Sequence, residues 1–163
     1  MRELSFEVEL DWSGTGREGA GRIVTDDLQL ELSAPASMGG RGVGTNPEEL
    51  LVSAVASCYA GTLFWVLRRS GLPAASVSVD AHGTVTGYPG WAHFERIVVS
   101  PTIVDGDPTR IYEYERAAAD AHDRCFIGRT IAGNVDYQVG WVALAPAESN
   151  AATAPSEGGA TSG

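Results

Sequence analysis

Basic side chains are scarce in this chain: 11 Lys and Arg stand against 21 Asp and Glu over 163 residues, a formal net charge of −10. A phosphate-binding face needs clustered positive charge, so this balance argues against nucleic acid and anionic membrane surfaces as partners and reads as solubility. Cysteine is rarer still, with only Cys58 and Cys125. The first ten residues alternate charged and apolar side chains without an apolar core, so no signal peptide is expected and the expected location is cytoplasmic. In a reducing compartment a cysteine pair is a poor structural staple, which leaves buried inert thiols or redox chemistry. A closely spaced metal-ligand motif is missing as well. His82 and His93 fall on expected strands, His122 lies one turn before Cys125, and the residue types allow a Cys58/Cys125/His122 zinc site, against which the missing motif argues. We expect neither metal nor cofactor. No internal repeat is present, and 44% hydrophobic content is enough for the core of a single domain.

What the chain does have is one long apolar segment, Gly44 to Leu72, with Cys58 at its centre. Asn46 is a favoured N-cap, Pro47 suits the first helical position, and Glu49 has capping-box spacing. Arg68 and Arg69 suit a last turn, Gly71 can take the left-handed terminal conformation, and Pro73 prevents continuation. These signals bound a helix of about 24 residues, roughly 36 Å long. Its apolar residues fill more than one face, so burial nearly all round is expected. Ser53, Ser57, Gly61 and Thr62 interrupt the run and argue against a membrane span. The small residues Ser53, Ala54, Ala56, Ser57, Ala60 and Gly61 suit close approach by another helix.

Ser5 to Trp12 alternates without a break and predicts a half-buried strand. The following Gly14 to Gly19 matches GxGxxG. A dinucleotide loop must open a helix, however, and here strand spacing resumes at Gly21 to Thr25 and at Leu28 to Leu32, so the motif reads as a hairpin connection. The glycine-rich stretch Pro35 to Gly44 lacks the Lys-Ser/Thr of a phosphate-binding loop. After the long helix, Val77 to Val85 and Phe94 to Val104 form a second hairpin around Gly87 to Gly90, with Pro101 interrupting its second strand. Asp107 and Pro108 start an amphipathic helix ending near Cys125, and Val135 to Trp141 gives a last strand. The whole predicts an α+β fold, an antiparallel sheet with two main helices, over residues 1–145, followed by a disordered tail over 146–163. One sheet covers only one side of a helix that is apolar all round, so a two-fold dimer with its central helices packed together is expected.

GTNPEELL followed by SAVASCYAGTL, an upstream GTGREG turn, and AHDRC ahead of GNVDYQV resemble the OsmC/Ohr family of thiol peroxidases, the osmotically inducible and organic hydroperoxide resistance proteins. The resemblance spans most of residues 5–144. It implies a dimeric, metal-free enzyme that reduces organic hydroperoxides through a two-cysteine cycle and is re-reduced by a dithiol, often a lipoyl group. It also implies Cys58 as the peroxide-attacking thiol, Cys125 as the resolving thiol, Glu48 as the acidic partner and Arg17 as the guanidinium holding the thiolate. Arg22 and Arg41 are rival guanidiniums. The GREG turn leans toward the organic hydroperoxide branch, whereas Phe126 stands where family members often carry proline after the second cysteine.

The chemistry is consistent with those roles. A thiol of pKa about 8.5 is little ionised at neutral pH, only the thiolate attacks an O–O bond quickly, and a fixed guanidinium offsets the cost of burying it. A nearby second thiol converts the resulting sulfenic acid to a disulfide. A non-catalytic small-molecule-binding module and a structural dimer with inert cysteines are the alternatives. Glu48 and Cys58 are ten residues apart, about 15 Å along one regular helix. An arginine cannot span that gap, so the expected Glu48 at each Cys58 comes from the second chain.

Overall fold

The computed structural model describes residues 3–147. Its longest element is α1, Pro47–Arg69, and both ends follow from local chemistry. The Asn46 side chain accepts the Glu49 N–H at 2.8 Å, while the Glu49 carboxylate turns back to the Thr45 hydroxyl at 3.0 Å. At the other end Gly71 sits at φ +64°, and the N–H groups of Gly71 and Leu72 return to the carbonyls of Arg68 and Leu67. This is the left-handed closure that satisfies the last carbonyls, and Leu72 packs down beside Leu67 in the core.

Burial of α1 departs from the expectation. Val55, Tyr59, Leu63, Val66 and Leu67 are buried against the rest of the chain, but Ser53, Ala54, Ser57, Gly61 and Trp65 form an exposed stripe. The chain's own sheet and helices reach one side of the rod only. In length and apolarity α1 would pass for a membrane span, yet its covered side packs on β4, α2 and α3.

That cover begins with the hairpin of β4, Ser76–Thr86, and β5, His93–Val104, paired antiparallel along almost their whole length. From β5 the chain passes through a short 3-10 turn into α2, Ile111–Arg124, and then α3, Phe126–Ile131. It returns as β6, Asp136–Val139, and β7, Ala143–Ala145. Because α2 and α3 make a crossover, β6 and β7 both lie parallel to β5, which adds parallel pairs to a sheet expected to be antiparallel throughout. Pro101 does not interrupt β5. It falls between the stretch paired to β6, which ends at Val99, and the stretch paired to β7, which begins at Thr102, so its missing N–H costs no ladder bond there.

A second sheet holds β1, Glu9–Ser13, β2, Ala20–Val24, and β3, Gln29–Ser33, in sequence order. The GxGxxG stretch connects β1 to β2 through a 3-10 turn, with Gly14 and Gly16 at positive φ, as a hairpin loop should. The first strand is shorter than the alternation predicts and is not half-buried: Phe6 is 84% exposed and Trp12 47%. Alternation shows that an apolar face exists, but it does not say that the same chain covers it. The expected tail beyond residue 147 lies outside the described residues.

Candidate active site

Two elements meet at the cysteines. Cys58 sits midway along α1, half-buried, with its carbonyl accepting the Thr62 hydroxyl at 2.8 Å. Cys125 is fully buried at the junction of α2 and α3. Its N–H closes α2 on the Ala121 carbonyl at 2.9 Å, and its sulfur caps α3 by accepting the Gly128 N–H at 3.4 Å. Tyr59 ties the two helices together by donating its buried hydroxyl to the Ala118 carbonyl at 3.2 Å. Both thiols are free, and Cys58 packs against the buried cluster that contains Cys125.

Burial pushes the Cys125 thiol above its ordinary value, and the neighbouring Cys58 side chain pushes it further. The Gly128 N–H and the Tyr137 hydroxyl act in the opposite direction. Burial likewise raises Tyr59 and Tyr137, with Cys125 adding to both, so the two phenols remain protonated donors.

Cys58 opens onto a cleft of about 890 Å³ lined by Ser57, Trp65, Phe126, Arg124 and Arg129 among others. Arg124 is held by Asp120, with both carboxylate oxygens 2.8 Å from its Nε, and lies over the Trp65 ring at 5.9 Å. These guanidiniums were not among the sequence candidates. The available signal was their place within four residues of Cys125.

Arg17 and Glu48 do not line that cleft. The exposed Arg17 guanidinium lies on Gly39, where an added Cβ would come within 3.0 Å of its Nε. Glu48 opens on a different cleft with Ser37, Met38, Val52 and Phe94, and its buried Oε2 has no hydrogen-bond partner among the described residues. Since α1 is unbroken between Glu48 and Cys58, about 15 Å of helix separates them in one chain. Of the rival arginines, Arg22 makes an exposed pair with Asp11 at 3.8 Å, and Arg41 is exposed in the glycine-rich loop. The histidines are engaged elsewhere. His122 stacks on Tyr137 with its Nε2 3.0 Å from the Tyr137 carbonyl and its Nδ1 3.0 Å from Asp123. His93 lies near Thr86 and the Trp91 carbonyl, and His82 is exposed on β4.

Residues 39–140 match the family described as OsmC-like protein. The chain belongs to the OsmC family. It is 32% identical over 142 residues to the uncharacterized protein YmaD of Bacillus subtilis, covering 85% of this chain and 94% of that protein. It is 33% identical over 125 residues to an organic hydroperoxide resistance protein of Xanthomonas axonopodis pv. citri, covering 74% and 84%. The solved structure of an organic hydroperoxide resistance protein OsmC from Legionella pneumophila is 26% identical, with a TM-score of 0.66 over 86% of this chain and 99% of that one. Cys58, Cys125 and Glu48 of this OsmC-like chain fall within the family match, and Arg17 precedes it.

Proposed function

We propose that this chain is a two-cysteine peroxidase that reduces organic hydroperoxides to alcohols in a reducing, cytoplasmic compartment. The observation that carries the reading is a half-buried Cys58 that opens onto a cleft on one side and packs on the other against the buried cluster that contains Cys125. The organic hydroperoxide resistance protein among its relatives supports the substrate class. The Cys58 thiolate attacks the distal peroxide oxygen, the O–O bond breaks, and the alkoxide leaves as alcohol after taking a proton. Cys58 becomes a sulfenic acid, and Cys125 attacks its sulfur to give the disulfide and water. An external dithiol, such as a lipoyl group, then takes the oxidising equivalents and restores both thiols.

Arg17 and Glu48 complete the site from a second chain in this reading. The support is physical: an exposed stripe of small residues on α1, an uncovered apolar face on the N-terminal sheet, and a buried Glu48 oxygen without a donor. Adding one equivalent of cumene hydroperoxide should remove two free thiols per chain, and dithiothreitol should restore both. Unchanged thiol content after peroxide would overturn the proposal and favour a binding or purely structural role.

A further inference from the structure

Both acids that line the Cys58 cleft are already engaged. Asp120 holds the Arg124 Nε with both carboxylate oxygens at 2.8 Å, and Asp123 meets the His122 Nδ1 at 3.0 Å. Arg129 lines the same cleft and is exposed, and no carboxylate among the described residues lies within ion-pair distance of it. It stands in the last turn of α3, where a cation offsets a helix dipole, but a helix of six residues supplies little dipole to offset. One turn earlier on the same face stands Phe126, 61% exposed, and Trp65 of α1 reaches the cleft 48% exposed. The wall of the cleft therefore joins apolar surface to a fork of N–H donors that has no acceptor among the described residues.

We propose that Arg129 is a specificity-determining residue that receives a carboxylate carried on the hydroperoxide, so that the cleft takes anionic organic hydroperoxides in preference to neutral ones. The inference rests on the peroxidase reading above and names the substrate class within it. A guanidinium stays charged throughout the neutral range and meets a carboxylate with two parallel N–H···O bonds, which suits an anion held in one orientation. Phe126 and Trp65 cover the apolar body of the same molecule, and its peroxide end lies at Cys58. Arg124 is the poorer acceptor of this role, because Asp120 and the Trp65 ring already hold it. Phe126 and Arg129 belong to α3, not to the exposed stripe of α1 that a second chain is proposed to cover. The chemistry of attack is unchanged: the Cys58 sulfur takes the distal oxygen, the alcohol leaves, and the carboxylate stays intact.

Cumene hydroperoxide and its para-carboxylate share one reacting centre and differ in the anion, and quenched-flow measurement of thiol loss gives a rate constant for each. For the wild type at low ionic strength we expect the carboxylate to react about fivefold faster, the scale of one partly exposed ion pair, and the preference to vanish near 1 M salt. The sign is diagnostic. A chain of net charge −10 repels an anion overall, so without a local cation the carboxylate would react more slowly and salt would speed it. Arg129→Gln should abolish the preference and Arg129→Lys should restore part of it, while the salt comparison uses the wild type alone and stands whatever the variants do. A wild type that consumes both peroxides without preferring the anion, or a preference that survives Arg129→Gln, overturns the Arg129 role and leaves the peroxidase reading in place. A charge preference confined to re-reduction, with dihydrolipoate faster than dihydrolipoamide, would assign the cation to the reductant and overturn the substrate role. A wild type that loses no thiol to either peroxide overturns the peroxidase reading itself.

Discussion

Cys58 and Cys125 are chemically the same group in different surroundings, one beside an open cleft and one sealed beneath two helices. Attack requires access and resolution requires only the other sulfur, so substitution should separate the steps. Cys58→Ser should abolish hydroperoxide reduction, whereas Cys125→Ser should complete one turnover and then accumulate sulfinic acid at Cys58. Mass spectrometry after a slight excess of peroxide distinguishes these outcomes, and multi-turnover activity in the Cys58 variant would remove it as the attacking thiol. The same burial predicts a stability profile. Cys125, Tyr59 and Tyr137 all hold their protons more tightly in the folded chain than in the unfolded one. The unfolded state therefore releases protons first as pH rises. Their contribution should be complete below about pH 8.5 and should be lost above it, more steeply past about pH 10. Urea midpoints at fixed protein concentration across that range test the sign, since a flat alkaline limb would contradict it.

Among the elements, α1 was the most legible because its ends are written in local chemistry that needs no tertiary partner. Asn46→Ala should accordingly cost about 1 kcal/mol by removing the acceptor for the Glu49 N–H, measurable by denaturant unfolding. The short α3 was not legible. Six residues hold less than two turns, too few to show a period, and its N-cap is a cysteine sulfur rather than one of the usual oxygens. The direction of β6 was hidden for another reason: alternation fixes which residues share a face, but not which way the neighbouring strand runs. At the site, both cysteines and their separate helices could be read from the sequence. Tyr137 could not, because its relation to the cysteines comes from the return of the chain through α3 to β6, whereas Arg124 and Arg129 had only their nearness to Cys125 in the chain as a signal. The connection between β1 and β2 shows the opposite case, where strand spacing on either side outweighed a literal nucleotide-binding match.

For the whole molecule, the uncovered stripe of α1 is the feature to test. Among the described residues, nothing beyond the neighbouring helix backbone lies within 4 Å of a Cβ built on Gly61. Gly61→Leu should therefore leave the fold intact, with some gain in helix propensity, while obstructing a second α1 packed along that stripe. Sedimentation should show a shift from dimer mass to monomer mass, and an unchanged dimer would move the interface elsewhere. Shared sites make a further, separate prediction. Mixing Cys58→Ser protein with Glu48→Ala protein and re-forming heterodimers should restore activity that neither parent has. Inactive heterodimers would mean that Glu48 acts within its own chain or not at all.

The continuity of α1 also bears on how such a protein behaves when it is scarce. A helix broken between Glu48 and Cys58 could bring its own carboxylate to its own sulfur and work alone at any dilution. An unbroken one cannot, so on the shared-site proposal competent sites are created by encounter between chains. Below the dissociation constant of the pair, output per cell would rise with the square of the number of copies made. Doubling synthesis would then quadruple the capacity to clear hydroperoxide, giving a steep response that requires no effector and no change of shape.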